Sequence, residues 1–390
     1  MRPMISSRND SLNIMLPVLV FLLQASLSVA WAEPVDFGGF TASYQIDGSV
    51  GVSESFLIDF DTDGGLDLVE VYGAPKGVRT FFNDGSGGLD LAAEFVLPDE
   101  PFTVTMGDAN GDGLPDLAWA ESVGSGSFSV RIYYGEPGGG FHIGQTLRRA
   151  NNVAALAFGH IDTDAALDLV VAQKKGSLEI YTAGSDGLLE RTVRIRQKAR
   201  DTTDVAIGDF DGDGDQDVIT STRSGSLYFF AQGSQGRFSG GIRISTDALH
   251  IRQILALDLN GDPFPDLLLS TGESILCPDY VYHGNGGASF NLVQTLCNQT
   301  YDEGTADLDV ADLNGDGLLD VVALRGRDFY YLGLADGTFG PETPSFTPPV
   351  SWARRVVLGD VNDDGVGDAL VRDGTCCNTA THVYLGTVVP

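Results

Sequence analysis

Asp59-Phe60-Asp61-Thr62-Asp63-Gly64-Gly65-Leu66-Asp67-Leu68 carries carboxylates at its first, third, fifth and ninth positions. Alternate residues of a tight loop point the same way, so these oxygens converge, and Gly64 at the sixth position permits the sharp turn. The pattern recurs from Asp108, His160, Asp209, Asp258, Asp312 and Asp360, at intervals of 49, 52, 49, 49, 54 and 48 residues. A period near 50 suits one four-stranded blade of a β-propeller per repeat. A helical solenoid of similar period would need amphipathic segments of about ten residues or more, and the sequence shows none.

Each repeat gives the same order of signals. A short apolar strand precedes the loop, at residues 56–58, 104–106, 154–158, 205–207, 254–257, 309–311 and 356–358. A second strand follows directly, so that the last ligand (Asp67, Asp168, Asp266, Asp320) is its first residue. A third strand is aromatic, as at Tyr133-Tyr134, Tyr228-Phe229-Phe230, Tyr282 and Phe329-Tyr330-Tyr331; Gly-rich turns follow, and Phe141, Phe238, Phe290 and Phe339 open a fourth. The aromatic stripe reads as core between neighbouring blades rather than as a ligand shelf. The last repeat stops at its third strand, Val383-Tyr384-Leu385-Gly386, while Phe37-Gly38-Gly39-Phe40 is an orphan fourth strand. Phe37 precedes Asp59 by 22 residues as Phe339 precedes Asp360 by 21. The expectation is an all-β, seven-bladed β-propeller of four-stranded blades over residues 33–390, its N-terminal strand completing the last blade.

Residues 1–32 read as a secretory signal: Arg2 and Arg8, an apolar run over residues 12–30, then Ala30-Trp31-Ala32. An uncleaved anchor is the alternative, but the run is short for a span and is interrupted by Pro17 and Gln24. Cleavage near Ala32 predicts a secreted, periplasmic or cell-surface protein with no membrane span in the mature chain. Seven blades use all that remains and leave no room for a separate catalytic domain. The formal charge of −31 argues against nucleic acid as a partner and against anionic membranes. Cys277 and Cys297 bracket one hairpin, Cys376 and Cys377 are adjacent, and in an exported chain all three connectivities stay open. Asn298-Gln299-Thr300 fits a glycosylation acceptor where the host glycosylates.

Calcium is a hard cation that takes six to eight oxygens, which such loops supply from carboxylates, amides and a seventh-position carbonyl. Five loops are intact: Asp59/Asp61/Asp63/Asp67, Asp108/Asn110/Asp112/Asp116, Asp209/Asp211/Asp213/Asp217, Asp312/Asn314/Asp316/Asp320 and Asp360/Asn362/Asp364/Asp368. Two are damaged. The third begins with His160 and has Ala165 in place of glycine, leaving Asp162, Asp164 and Asp168. The fifth, Asp258/Asn260/Asp262/Asp266, keeps its ligands but carries Pro263 at the turn. The reading is Ca²⁺ in five sites and up to seven, in a mainly structural role: without metal, clustered carboxylates repel and loosen the loop.

The stretch Asp59-Phe-Asp-Thr-Asp-Gly-Gly-Leu-Asp-Leu, followed by Gly73-Ala74-Pro75, resembles the FG-GAP repeat of integrin α-chain propellers. The Asp-x-Asn-Gly-Asp-Gly-x-x-Asp copies resemble related repeats of bacterial secreted proteins and some fungal lectins. The resemblance implies that the metal loops share one face. The other face would then hold the loops at residues 121–127, 270–279, 343–352 and 373–381. Trp352 there is a sugar platform or, by preference, the buried start of a strand.

His142, His160, His250, His283 and His382 fall in no hydrolase or metalloprotease motif, and calcium spacing accounts for every Asp cluster. A non-enzymatic extracellular interaction module for a glycan or protein is therefore expected. The alternatives are a polysaccharide-active lyase or hydrolase, or a structural part of a cell-surface assembly.

Overall fold

The computed structural model describes residues 37–388 except 47–51, 74–75, 98–100, 123–126, 148–149, 165, 185, 197–199, 235, 273–278, 297–303, 326, 348–352 and 374–379. The signal segment, the four cysteines, Asn298, Trp352 and Ala165 lie outside the described residues.

Among the described residues every regular element is a strand. Blade 1 is Val52–Ile58, Asp67–Gly73, Lys76–Asn83 and Leu89–Val96, paired antiparallel in chain order. Blade 2 is Pro101–Gly107, Asp116–Ser122, Ser127–Glu136 and Gly140–Thr146. Blade 3 is Val153–Gly159, Asp168–Gln173, Ser177–Ala183 and Leu189–Arg196. Blade 4 is Thr202–Gly208, Asp217–Thr222, Ser226–Phe230 and Ile242–Ser245. Blade 5 is Ile251–Leu257, Asp266–Thr271, Asp279–Gly284 and Phe290–Leu296. Blade 6 is Asp307–Ala311, Asp320–Arg325, Arg327–Tyr331 and Thr343–Pro344. The last sheet joins Ala353–Gly359, Asp368–Asp373 and Thr381–Val388 to Phe37–Ile46, which pairs antiparallel with Thr381–Val388 from Phe37 opposite Val388 to Ile46 opposite Thr381.

Burial explains the strand sequences. A second strand is flanked by its own first and third strands and faces a neighbouring sheet on each side. Runs such as Asp168–Gln173 and Asp266–Thr271 are buried at every residue, which is why they read as continuous apolar stretches rather than as alternation. Fourth strands such as Leu189–Arg196 are largely exposed and carry charge. The core is not central but divided into seven clusters, each between two adjacent sheets. The cluster that joins the last blade to the first includes Ile46, Leu57, Leu68, Phe81, Val357 and Leu370. Tyr133, Phe229, Tyr282, Tyr330 and Tyr331 belong to these clusters, so the aromatic third strands are inter-blade core.

Two fourth strands differ from expectation. Phe238 sits in a two-residue ladder with Gln232–Gly233, and the chain rejoins the blade only at Ile242–Ser245. Phe339 makes a single bridge to Gly333, and the fourth strand of blade 6 shrinks to Thr343–Pro344 because Pro341 and Pro344 carry no N–H for a ladder. Both rings still pack inward, Phe339 at 4% exposure.

Candidate metal centres

Each acidic loop joins the first strand of its blade to the second, and in all seven blades the ninth-position Asp is the first residue of the second strand. These seven carboxyls, Asp67, Asp116, Asp168, Asp217, Asp266, Asp320 and Asp368, are at most 1% exposed. One oxygen of each accepts the backbone N–H of the loop's second residue, Phe60 through Val361, at 2.8–3.1 Å. The other accepts an N–H from the end of the third strand: Asn83, Gly135, Ala183, Gln232, Gly284, Gly333 or Gly386. Sequence reading treated the ninth residue only as a ligand. The structure makes it also a clasp from the loop to the third strand, which accounts for its retention in the damaged loops.

The remaining side chains fold the loop over themselves. In every loop the third-position oxygen accepts the fifth-position N–H: Asp61 from Asp63, Asn110 from Asp112, Asp162 from Asp164, and Asp211 from Asp213. Asn260 takes it from Asp262, Asn314 from Asp316 and Asn362 from Asp364. The fifth-position carboxylate in turn accepts the seventh-position N–H. Asp63, Asp112, Asp164, Asp213, Asp262, Asp316 and Asp364 all do so, at 2.8–3.0 Å. In the five intact loops the first carboxylate accepts the N–H of the glycine at position six: Gly64, Gly113, Gly214, Gly317 and Gly365. These glycines have φ of 81–99°, so a side chain there would be strained. Position four also turns left-handed, at Thr62, Gly111, Gly212, Gly261, Gly315 and Asp363, a requirement the sequence pattern left unread.

The geometry fits a hard divalent cation. Asp59, Asp61 and Asp67 bring one oxygen each within 4.8 Å of one another, and Asp209, Asp211 and Asp217 do the same. Asp59 Oδ1 is buried without a hydrogen-bond partner, an orphan acceptor that a cation would satisfy. The expected four-ligand sets are not assembled in full, however. Asp63 and Asp213 stand outside these two triads, because each is turned to the backbone of its own loop.

In the loops at Asp108, Asp258, Asp312 and Asp360 the third-position donor is an amide oxygen, neutral but equally hard. Here the amide also departs from the expected ligand arrangement. Asn110, Asn260, Asn314 and Asn362 donate from Nδ2 to the fifth-position carboxylates of Asp112, Asp262, Asp316 and Asp364, at 2.9–3.0 Å. An amide can bridge to a carboxylate where a second carboxylate would repel it, so these loops draw shut by hydrogen bonds and hold three carboxyls rather than four. A cation there would compete with the amide N–H for the fifth-position oxygen.

Burial pushes the ninth-position carboxyls up, to about 6 for Asp67 and about 7 for Asp116, Asp217, Asp320 and Asp368, with backbone N–H groups pulling the other way. A cation in the loop opposes the same burial penalty.

The damaged loops differ physically. His160 turns Nδ1 to the carbonyl of Ala166 at 3.2 Å, the seventh-position oxygen that a metal would take. In the fifth loop Pro263 has no N–H for Asp258, which keeps the position-four bond that the loops at Asp108, Asp209 and Asp312 also make, Gly261 N–H to Oδ1 at 2.7 Å. Asn260, Asp262 and Asp266 keep their loop bonds there.

A family model for the FG-GAP-like repeat matches residues 59–119, 160–220, 209–269 and 258–323. A search of curated proteins found no match. Among solved structures, BBS1N in its complex with ARL6DN superposes with a TM-score of 0.61 at 14% identity, covering 90% of this chain and 97% of that one. A protein from Lactobacillus plantarum gives 0.55 at 14% identity, covering 86% and 93%. Saccharomyces cerevisiae Sqt1 gives 0.53 at 12%, covering 85% and 83%. At these identities the likeness extends to the fold alone.

Proposed function

We propose, for a chain that belongs to the FG-GAP-like repeat family, an exported calcium-stabilised propeller that acts as an extracellular interaction module for a glycan or protein. The observation that carries the calcium part is the pair of carboxylate triads within 4.8 Å, beside a buried Asp59 oxygen with no partner. Calcium supplies positive charge where three or four carboxyl or amide oxygens meet, and the chain's own N–H groups fix the direction of each oxygen. The first strand then stays registered on the second, and each ninth-position Asp holds the third. His160 takes the place of an ion in the third loop, so the five intact loops and, more weakly, the fifth are the calcium sites.

Interaction rather than catalysis is supported by the site chemistry: every acidic cluster among the loops is turned inward on its own backbone. A similar propeller, BBS1N, was solved in complex with ARL6DN, so a fold of this kind presents a protein-binding surface there. The signal-like residues 1–32 support export.

The test is a thermal melt of the mature chain with calcium and with excess chelator, followed by a glycan array and a pull-down in both states. Chelation should lower Tm by roughly ten degrees, consistent with metal binding acting as folding free energy. A melt indifferent to the chelator overturns the structural role of calcium. Absence of any glycan or protein ligand with calcium present overturns the interaction reading.

A further inference from the structure

Charge is graded along blade 3. Residues 174–200 hold seven Lys or Arg against three Asp or Glu, in a chain that has 23 against 54. The strand Leu189–Arg196 begins beside the acidic loop, since Glu190 pairs with Thr182 and the adjacent Ala183 donates its N–H to Asp168. It ends with Arg196 opposite Ser177, at the turn that carries Lys174 and Lys175 on the other face. Asp186 and Glu190 are exposed near the loop, whereas Arg194 and Arg196 are exposed at the far end. The chain then returns to the same turn: Asp201 donates its N–H to the Lys174 carbonyl at 2.8 Å, which sets Arg200 beside it.

Lys174, Lys175, Arg194, Arg196 and Arg200 therefore surround one turn, and all five are exposed. Glu179 pairs with Arg194 at 3.1 Å and with Arg191 at 3.5 Å, and Lys174 lays its ammonium 4.4 Å from the ring centre of Phe102. Among the described residues Lys175, Arg196 and Arg200 make no ion pair, and Asp201 is an exposed carboxyl beside them. Protection of a sheet edge does not account for these cations. The fourth strands of blades 2 and 5 are edge strands too, yet carry no Lys, Arg, Asp or Glu.

The negative charge of the whole chain does not cancel this patch. The six residues of Asp168–Gln173 separate the acidic loop of the blade from the turn by about 20 Å, roughly twice the screening length in physiological salt. The loop of this blade is also the one that opens with His160 in place of a carboxylate. Exposed cations spread over a turn and a strand end suit a repeating anion better than a single small one. Three of the five are Arg, whose planar fork takes two oxygens of one oxyanion at once. For an exported chain, sulfate esters on glycans are the polyanion of that chemistry.

We infer that the end of blade 3 away from its acidic loop binds a linear sulfated polysaccharide, with Lys175, Arg196 and Arg200 as the main contacts and Lys174 and Arg194 flanking them. The inference rests on the glycan branch of the interaction reading and names its ligand class and surface.

Titration of the purified protein in calcium with size-defined dextran sulfate tests it, against neutral dextran, a single-stranded oligonucleotide and phosphatidylserine vesicles. Dextran sulfate should bind about tenfold or more tightly than any of the three, and its affinity should fall about tenfold between about 50 and about 300 mM salt. Lys175→Ala, Arg196→Ala and Arg200→Ala combined should weaken it about tenfold at unchanged Tm. Arg354→Ala, which removes an exposed cation from blade 7, should leave it unchanged. Lys175→Gln, Arg196→Gln and Arg200→Gln combined serve if the alanine triple folds poorly. No dextran sulfate binding, equal binding of dextran, oligonucleotide or vesicles, binding that survives the triple, or an equal loss in Arg354→Ala overturns the site. Array or pull-down ligands that the triple variant retains would sink this surface while leaving the broader interaction reading standing.

Discussion

Asp168 separates the two tasks of the ninth position, because its loop has His160 where the other six have a first carboxylate. It accepts Ile161 N–H at 2.8 Å and Ala183 N–H at 2.9 Å. Asp168→Ala would leave both donors buried and unpaired, at about 1–3 kcal/mol each. The variant should lose about 2–4 kcal/mol in denaturant unfolding, by the same amount with calcium or chelator. Asp67→Ala should lose more in calcium than in chelator, and equal calcium dependence for the two would remove the distinction. Asp309 bears on pH. It is buried and accepts Leu358 N–H at 2.9 Å from the next blade, and burial raises its carboxyl from 3.8 to about 7. The folded chain keeps a proton that the unfolded chain releases near pH 4, so this stabilisation is full below about pH 4 and is lost as pH rises through about 7. Asp309→Asn keeps a neutral acceptor and lacks that slope. Relative to it, the parent protein should lose several degrees of Tm between about pH 5 and pH 8, and parallel curves would show that the carboxyl is not held protonated.

Within one element, the acidic loop, the sequence conveyed some constraints and hid others. Ligand spacing and the glycine at position six were readable because each is a residue type that the geometry demands. The left-handed turn at position four was not, since Thr62 and Asp363 occupy it at φ of 65° and 57° beside four glycines. A β-branched residue in that region is strained. Thr62→Gly should therefore stabilise the protein by about 1 kcal/mol, net of glycine's greater freedom when unfolded. A lower Tm would mean that the threonine side chain contributes more than its strain costs. The difference between Asp and Asn at position three was also unread, since both count as oxygen donors on paper. Only the bonds from Asn314 to Asp316 and from Asn362 to Asp364 show that the amide hydrogens are used within the loop. The double role of the ninth Asp was equally hidden, because its second partner lies 13 to 19 residues away on the third strand. The blade boundaries at Phe238 and Phe339 were misread for a related reason. An aromatic residue after a Gly-rich turn reports packing, whereas the proline and glycine content around it decides whether a ladder forms.

For the whole ring, the order of blades followed from the period, but how the ends meet depends on one pairing between residues far apart in the chain. Phe37–Ile46 supplies the outer partner of Thr381–Val388, and Phe40, at 1% exposure, packs on Phe346 at 5.2 Å, which in turn lies 4.8 Å from Tyr384. The strand also hydrogen-bonds outward, Phe40 N–H to the Ser345 carbonyl at 2.9 Å, so it joins the last blade to the segment leaving blade 6. A chain beginning at Ser53 loses this strand and leaves the edge of Thr381–Val388 open. It should melt well below a chain that keeps residues 33–52 and self-associate through that edge, as unpaired strands do. A peptide of residues 37–46 added in excess should restore part of the lost Tm, because strand addition recreates the ladder in trans. Phe40→Ala should lie between the two, at about 3–5 kcal/mol for a buried aromatic. If the shortened chain melts like the full one and stays monomeric by light scattering, the ring is held by its inter-blade clusters alone and the terminal strand is dispensable.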